Sequence, residues 1–402
     1  MRSLLLSTSL AVLLCASCGE GGLEPLPSVS RELVSAAVKA NNSFALDLHR
    51  ALAEQESGNI FVSPFSVSTA LGMVYAGARG ETASQMADVL GFSRTQNDVH
   101  PALAWLTVDL RNQGKENGYA LSVANRIWRQ RGFALLASFT DLLEEHYGAG
   151  VGEVDFAGAP ETSRKTINQW VSDNTAGKIP ELLKSDALDA STRVVLANAI
   201  YFKADWLTRF SGTSTGPFSI SETETVDVPM MHGKVKIRLG GDQDIGVVEL
   251  PYAGDDVVMD ILTSPDLAAL EQTLDAARLE GALSSLGEHE LQVMMPKFEV
   301  RFDAQMRGLL GAMGMPDLFE PGLADLSGMN GQRDLVISDV WHQAYVKVDE
   351  SGTEAAAATA AGGILISATS PIEISSPFLF LIRDISTGAI LFMGRIVDPR
   401  PS

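Results

Sequence analysis

A serine between two glycines is the residue whose type and spacing could perform nucleophilic chemistry. The pentapeptide GTSTG, residues 212–216, matches the G-x-S-x-G pattern of hydrolases, with Ser214 as the nucleophile. Such a serine sits on a sharp turn between a strand and a helix, whereas Pro217 and the alternating sequence FSISETETVDV follow here. The pattern therefore favours a surface loop, with a serine hydrolase using Ser214 as a remote alternative. The six histidines show no metal-ligand spacing, and we predict no metal and no cofactor.

The segment ESGTEAAAATAAGGILIS, residues 350–367, is compatible with two structures. Ser351 and Glu354 have the spacing of a capping box, and the alanines up to Gly362 predict a helix of about a dozen residues. That helix would be marginal alone in water, and it has no apolar stripe. With a period of two, one face carries only small, uncharged residues: Thr353, Ala355, Ala357, Thr359, Ala361 and Gly363. Such a face can enter a packed sheet without desolvating a charge, so we predict a loop that can become a strand.

The sequence LVISDVWHQAYVKV, residues 335–348, runs directly into this segment. Its alternation predicts one long strand. One face carries Val336, Ser338, Val340, His342, Ala344, Val346 and Val348, and the other carries Leu335, Ile337, Asp339, Trp341, Gln343, Tyr345 and Lys347.

The composition is that of an ordinary globular protein with an acidic surface. The chain has 402 residues, of which 46% are hydrophobic, and 50 acidic against 30 basic residues give a net charge of -20. This charge argues against nucleic acid or anionic lipid as a main partner.

The N-terminus predicts export. One basic residue, an apolar run from Leu4 to Leu14 and small residues predict a signal peptide over residues 1–18. Ala16-Ser17-Cys18 resembles the lipobox of bacterial lipoproteins, in which Cys18 carries the lipid, and the alternative is plain signal cleavage nearby. Both cysteines, Cys15 and Cys18, lie there, so the mature body has no disulfide. Residues 19–30 are expected to form a flexible tether, and 31–402 a single domain. The expected location is periplasmic, outer-membrane-anchored or extracellular.

The predicted secondary structure changes along the domain. A helical stripe begins after Ser30, helical patterns continue to about residue 113, and strand patterns dominate after Arg193, with a turn at Gly254-Asp255-Asp256. The stripe consists of Val34, Ala37, Val38, Phe44, Ala45, Leu48 and Leu52. We therefore predict one α+β domain with helices first and sheets second.

Five ordered motifs resemble the serpin family. They are NIFVSPFSVSTALGMVYAGARGETASQM at 59–86, NAIYFKADW at 198–206, DLSGMN at 325–330, ESGTEAAAATAA at 350–361 and PFLFLIRDISTGAILFMGRIVDP at 377–399. The resemblance extends from about Ser30 to Pro399. The fourth motif, residues 350–361, corresponds to the segment called the hinge and resembles that of inhibitory members. It implies an α+β fold with three β-sheets, about nine helices and an exposed reactive-centre loop.

The resemblance also assigns roles to individual residues. The scissile bond would join Ile366 to Ser367. In the alternative register, shifted by one residue, Leu365 would be the residue before the cut. The hinge would comprise Glu350, Gly352, Thr353, Glu354, Ala355, Ala356, Ala357, Ala358 and Thr359. The shutter, where the sheet opens, would comprise Ser63, Ser66, Asn198 and His342. Trp206 would mark the breach, where the loop enters.

The implied function is suicide inhibition of a serine protease. The expected partner is a protease with an apolar pocket, of the elastase, chymotrypsin or subtilisin type, held as a covalent acyl-enzyme. The alternative is a non-inhibitory serpin acting as a binding or carrier protein. We expect a monomer that binds no nucleic acid and touches a membrane only through a lipid on Cys18.

Overall fold

The computed structural model describes residues 23–148, 150–353 and 371–401. Within these ranges it contains ten α-helices and one 3₁₀ helix, Pro316–Phe319. The α-helices are α1 (Arg31–Ala53), α2 (Pro64–Tyr75), α3 (Gly80–Leu90), α4 (Gln96–Asn117), α5 (Ala137–Tyr147), α6 (Pro160–Asn174), α7 (Leu267–Thr273), α8 (Ala276–Ser284), α9 (Arg307–Met313) and α10 (Ser327–Asn330). No helix in the described part of the chain is both long and apolar enough to cross a membrane.

The strands lie between and after these helices. They are β1 (Ile60–Val62), β2 (Ala120–Gln130), β3 (Gly152–Val154), β4 (Val194–Asp205), β5 (Gly212–Ser219), β6 (Thr225–Gly241), β7 (Gly246–Pro251), β8 (Val257–Thr263), β9 (Gly287–Pro296), β10 (Phe298–Gln305), β11 (Val340–Asp349), β12 (Gly352–Thr353), β13 (Ile372–Glu373), β14 (Phe378–Asp384) and β15 (Ile390–Ile396).

One sheet has six strands in the order β10-β11-β12-β4-β2-β3. Its central strands β4 and β11 run parallel and pair directly from Leu196 and Val340 to Tyr201 and Tyr345. The short strand β12 lies between them beyond this paired stretch.

The other two sheets share one hydrogen-bonded ladder through the long strand β6. The first part of β6 pairs with β5 and β9, and β13 extends this sheet beside β9. The last part of β6 pairs with β7, and β8, β14, β15 and β1 continue the other sheet. The expected α+β architecture with three sheets is therefore confirmed.

The helical stripe predicted in α1 faces the core. Ser30 caps the helix, because its side chain accepts a hydrogen bond from the Leu33 amide, and Glu32 lies in the positive first turn. All seven residues of the stripe are buried. The predicted turn after β7 is also present, with Gly254 and Asp255 in the left-handed region.

The six-stranded sheet is covered on both faces. Val346 and Val348 of β11 belong to the main core, whereas Trp341 packs in a smaller cluster with residues of α6. Parting β4 from β11 therefore disturbs two packed layers.

The strand predicted over 335–348 begins later than expected. Residues 335–339 are not in a strand, because their polar groups bind elsewhere. The Ile337 amide donates to the Leu318 carbonyl at 3.2 Å, and the Asp339 carboxylate accepts from the Arg307 amide at 3.1 Å. Asp339 thus satisfies an amide at the start of α9 rather than continuing the ladder.

Candidate functional site

The first residues of the hinge already lie in the six-stranded sheet. Thr353 pairs antiparallel with Val348 of β11 on one side and with Ala204 of β4 on the other. The Thr353 side chain is fully buried. Residues directly opposite each other point to the same face of a sheet, and Val348 and Ala204 both belong to the main core. Thr353 therefore faces the core, as the predicted alternation requires.

Gly352 permits this close approach of two backbones. Its φ angle is +157°, and a Cβ at this position would lie 2.1 Å from the Ala204 carbonyl oxygen. Since backbone cannot yield at that distance, a side chain here would displace β12.

An aromatic pair holds the entry point. The Trp206 ring stacks on the Tyr252 ring, with centroids 4.5 Å apart and planes 7° from parallel. Trp206 Nε1 donates to the Asp349 carbonyl at 2.9 Å, and the Tyr252 and Thr353 hydroxyls are hydrogen-bonded at 2.7 Å. The structure thus places Trp206 beside β12. Tyr252 was missed by the sequence analysis, where it stands only as the residue after a strand.

Replacing Tyr252 with phenylalanine should loosen β12. The change leaves the buried Thr353 hydroxyl without its partner, which costs about 1–3 kcal/mol. We expect the midpoint of urea unfolding to fall and proteolysis after Thr353 to accelerate. Thr353→Val is the matched partner, and the double variant should lose little more than either single one. Additive losses would show that the two hydroxyls do not stabilise each other.

Glu350 is tied to the neighbouring sheet. Its carboxylate accepts from Lys297 Nζ at 2.8 Å and from the Thr213 hydroxyl. Burial raises the pKa of the Glu350 carboxyl, but these two donors outweigh it, so the pKa lies below the ordinary value. The Glu350 carbonyl also accepts from the Phe210 amide at 3.0 Å. The chain is therefore fixed on the near side of β12.

The four residues assigned to the shutter meet in one buried cluster. The Ser63 amide donates to His342 Nε2 at 3.2 Å, and His342 Nδ1 contacts Asn198 Oδ1. Asn198 Nδ2 donates to the Ser66 hydroxyl at 2.6 Å. Asn125 of β2 completes the cluster, and its amide donates to the Ser66 carbonyl at 3.1 Å. Asn125 was missed by the sequence analysis, where one polar residue in a strand carries no distinguishing signal.

His342 is held neutral in this cluster. Nε2 accepts a hydrogen bond, so the ring proton must sit on Nδ1, where it is donated to Asn198. Burial lowers the pKa of His342 to about 3.

This histidine should make the protein sensitive to acid. The unfolded chain binds a proton below about pH 6.5, whereas folded His342 stays neutral to about pH 3. Between these values the unfolded state binds more protons, so His342 lowers stability by up to about 1.4 kcal/mol per pH unit as the pH falls. Urea unfolding from pH 7 to pH 4 should therefore show a flatter pH profile for His342→Asn than for the parent. A parent profile in His342→Asn would contradict this account.

Several assigned residues fall outside the described residues. They are Cys18, Glu354, Ala355, Ala356, Ala357, Ala358, Thr359, Leu365, Ile366 and Ser367.

Ser214 does not sit on a nucleophile elbow. It lies inside β5, directly opposite Met230 of β6, and it is exposed. Ser214 is part of a strand and does not lie on a strand-to-helix turn, which contradicts the hydrolase geometry. The alternative of a surface loop is also wrong, because β5 is a regular strand at the edge of its sheet. Across residues 23–148, 150–353 and 371–401, no group of three or more His, Cys, Asp or Glu side chains could hold a metal ion.

The comparisons with known proteins agree with this fold. Residues 39–399 match the family model described as Serpin (serine protease inhibitor). The leukocyte elastase inhibitor of Homo sapiens is 40% identical over 376 residues, covering 90% of this chain and 98% of that protein. Its namesake in Xenopus tropicalis is 39% identical over 370 residues, covering 89% and 97%. The crystal structure of Serpin48, described as a highly specific serpin in the insect Tenebrio molitor, matches with a TM-score of 0.81 at 31% identity, covering 90% and 98%.

The chain belongs to the serpin family. It is accordingly a member of a family of protease inhibitors and not an enzyme.

Proposed function

We propose that this serpin is a suicide-substrate inhibitor of serine proteases with an apolar S1 pocket. The observation that carries the proposal is β12, which already occupies the slot between β4 and β11 and pairs with both. A strand continuing from Thr353 would run antiparallel to both neighbours and replace their direct pairing.

The register at Thr353 gives each following residue a place in the sheet. Continued pairing would bring Ala357 between Ala344 and Ile200, which are themselves partners and have no exposed surface. Only a small, uncharged side chain fits there without displacing the core. The alanines of the hinge meet this requirement.

The same register accounts for the one charge of the hinge that follows Thr353. Glu354 would lie between Lys347 of β11 and Lys203 of β4, on the face opposite the core. Lys203 is exposed, and the Lys347 side chain is 44% exposed. Two lysines beside one carboxylate in contact with water favour the inserted strand.

The chemistry of the proposed reaction belongs to the protease. Its serine oxygen attacks the Ile366 carbonyl carbon, the bond to Ser367 breaks, and Ser367 leaves as a free amine. Ile366 remains as an ester on the protease. Cleavage frees the hinge from its downstream anchor, and its insertion carries the protease away before water hydrolyses the ester.

The target is set by the residue before the cut. Ile366, or Leu365 in the alternative register, requires an apolar pocket and excludes a trypsin-like one. The name of the leukocyte elastase inhibitors supports an elastase-like protease as the first candidate.

A non-inhibitory binding or carrier role is the alternative. A charged, bulky or proline residue on the core-facing side of the hinge would block insertion. None occurs from Ala355 to Gly363, which favours the inhibitor and an inhibitory-type hinge.

We further propose an exported, monomeric bacterial lipoprotein with the mature chain starting at Cys18. The sequence around Cys18 alone supports the lipid and the bacterial origin, since the relatives named above are animal proteins. Residue 19 is glycine and not the aspartate associated with inner-membrane retention, which in a Gram-negative host favours the outer membrane or the exterior. Residues 31–402 would form the single serpin domain.

A covalent adduct is the direct test. The protein mixed with an elastase-like protease should give a band of summed mass that survives detergent and heat. The catalytic-serine-to-alanine variant of the same protease should give none. Clean cleavage after Ile366 without an adduct, across elastase-, chymotrypsin- and subtilisin-like proteases, would contradict inhibition and favour the carrier role.

A further inference from the structure

The chain ahead of the first helix is attached to the side of α4. The Glu24 amide donates to Asn112 Oδ1 at 2.8 Å, and Asn112 Nδ2 donates back to the Glu24 carbonyl at 2.8 Å. This double hydrogen bond fixes the position and direction of the segment. Val29 packs against the main core just before α1 begins. We call residues 23–29 the strap.

The Glu24 carboxylate adds an ionic contact to the same helix. It accepts from Lys115 Nζ at 3.1 Å and lies 3.7 Å from Arg111 Nη1. The sequence predicts a flexible tether over residues 19–30, but within the strap these contacts bind it to the fold. Exposed ion pairs contribute little, so the Asn112 hydrogen bonds are the main attachment.

The strap presents apolar side chains to solvent. Leu23 is 55% exposed and Leu26 is 46% exposed, although leucine is among the residues most often buried. Both lie within eight residues of Cys18 in the sequence.

We propose that the strap and the adjoining face of α4 form the surface by which the protein rests on a phospholipid bilayer. The inference rests on the proposed lipid at Cys18. Glu24 follows Cys18 by six positions, and a fully extended chain of that length spans at most about 22 Å. Helix α4, with 22 residues, is longer, at about 33 Å. A lipid on so short a chain holds the strap, and not a distant face, against the membrane.

Charge and polarity make a lipid surface the fitting partner. A net charge of -20 keeps most of the protein away from anionic headgroups. At the strap, Arg111 and Lys115 offset Glu24, and the two leucines can enter the boundary between headgroups and acyl chains. The anchor and the exposed leucines would thus add to attachment at the same place on the protein.

A chemically anchored protein tests the surface without depending on lipidation in the cell. The mature chain contains one cysteine, Cys18, which can be coupled to a maleimide lipid in phosphatidylcholine vesicles. The reference is the same protein capped with a soluble maleimide. Hydroxyl-radical footprinting should show at least three-fold less oxidation of Leu23 and Leu26 on vesicles. Leu323, which is 56% exposed, should be oxidised equally in both samples.

A strap variant separates an oriented surface from simple proximity to the anchor. The strap variant combines Asn112→Ala with Glu24→Gln. On vesicles, Lys115 of this variant should be acetylated as strongly as in the soluble sample, because α4 is no longer held at the membrane. The exposed change Gln169→Ala on α6 is the control and should keep Lys115 protected. Equal oxidation of Leu23 and Leu26 in anchored and soluble protein would overturn the proposal. An unmodified Cys18 thiol in protein from the native host would instead refute the lipoprotein assignment and leave the vesicle result standing.

Discussion

Replacing Ala357 with glutamate should convert the proposed inhibitor into a substrate that the protease cleaves and leaves. The register at Thr353 places residue 357 between Ala344 and Ile200, where no side-chain surface is exposed. A carboxylate there costs several kcal/mol unless it is protonated or paired, which is enough to stop the strand after a few residues. We expect the detergent-resistant adduct to fall at least ten-fold, while cleavage after Ile366 continues at the parent rate.

Ala356→Glu is the matched control. It adds the same charge one residue earlier, but the alternation of the strand directs it to the other face, between Tyr345 and Tyr201 and next to the position of Glu354. Tyr345 and Tyr201 are largely buried, but the same face reaches water at the next pair, Lys347 and Lys203, so most of the adduct should remain. An equal loss of adduct in the two variants would contradict the inserted strand and favour the helical interpretation of residues 350–367.

Cleavage at Ile366–Ser367 should raise the melting temperature by about 10 °C or more, which corresponds to several kcal/mol for a chain of this size. Each inserted residue gains hydrogen bonds of about 1 kcal/mol and loses about 1–2 kcal/mol of backbone entropy, so these two terms nearly cancel. If the loop inserts as proposed, the gain would have to come from side-chain packing and from relief of strain, and the uncut native state would then be only kinetically stable.

Calorimetry on intact and cleaved protein measures this change, with the cut verified by mass. Cleaved Ala357→Glu is the informative control, because its blocked strand should leave the melting temperature near that of the uncut protein. An unchanged melting temperature in the cleaved parent would contradict loop insertion, whatever the behaviour of the variant.

The sequence predicted the features that depend on local periodicity or on a complete motif. The buried stripe of α1 follows from its 3.6-residue period, and the turn at Gly254 follows from residue types that tolerate the left-handed region. The residues assigned to the shutter were located through family motifs, and the structure brings them within hydrogen-bond distance of one another.

The features that the sequence analysis missed depend on partners far away in the chain. Tyr252 binds a residue 101 positions later, and Asn125 binds one 73 positions later. No local pattern marks such a pair, because each partner alone is an ordinary residue in or beside a strand. Asp339 is the opposite case, a residue for which a local pattern gave a wrong prediction. The alternation around it predicts a strand, but its carboxylate accepts a hydrogen bond at the start of α9.

The contact between Asn198 and His342 divides the proposed insertion into two stages. These residues are direct partners across β4 and β11, and continued register from Thr353 would deliver Thr359 between them. The strand can therefore advance through Ala358 by replacing apolar and backbone contacts, and must then separate a polar pair. Thr359 brings a hydroxyl that can both donate to and accept from the separated groups. The contact would thus act as a checkpoint in the far part of the slot, which resists spontaneous opening yet yields to an arriving side chain of matching chemistry.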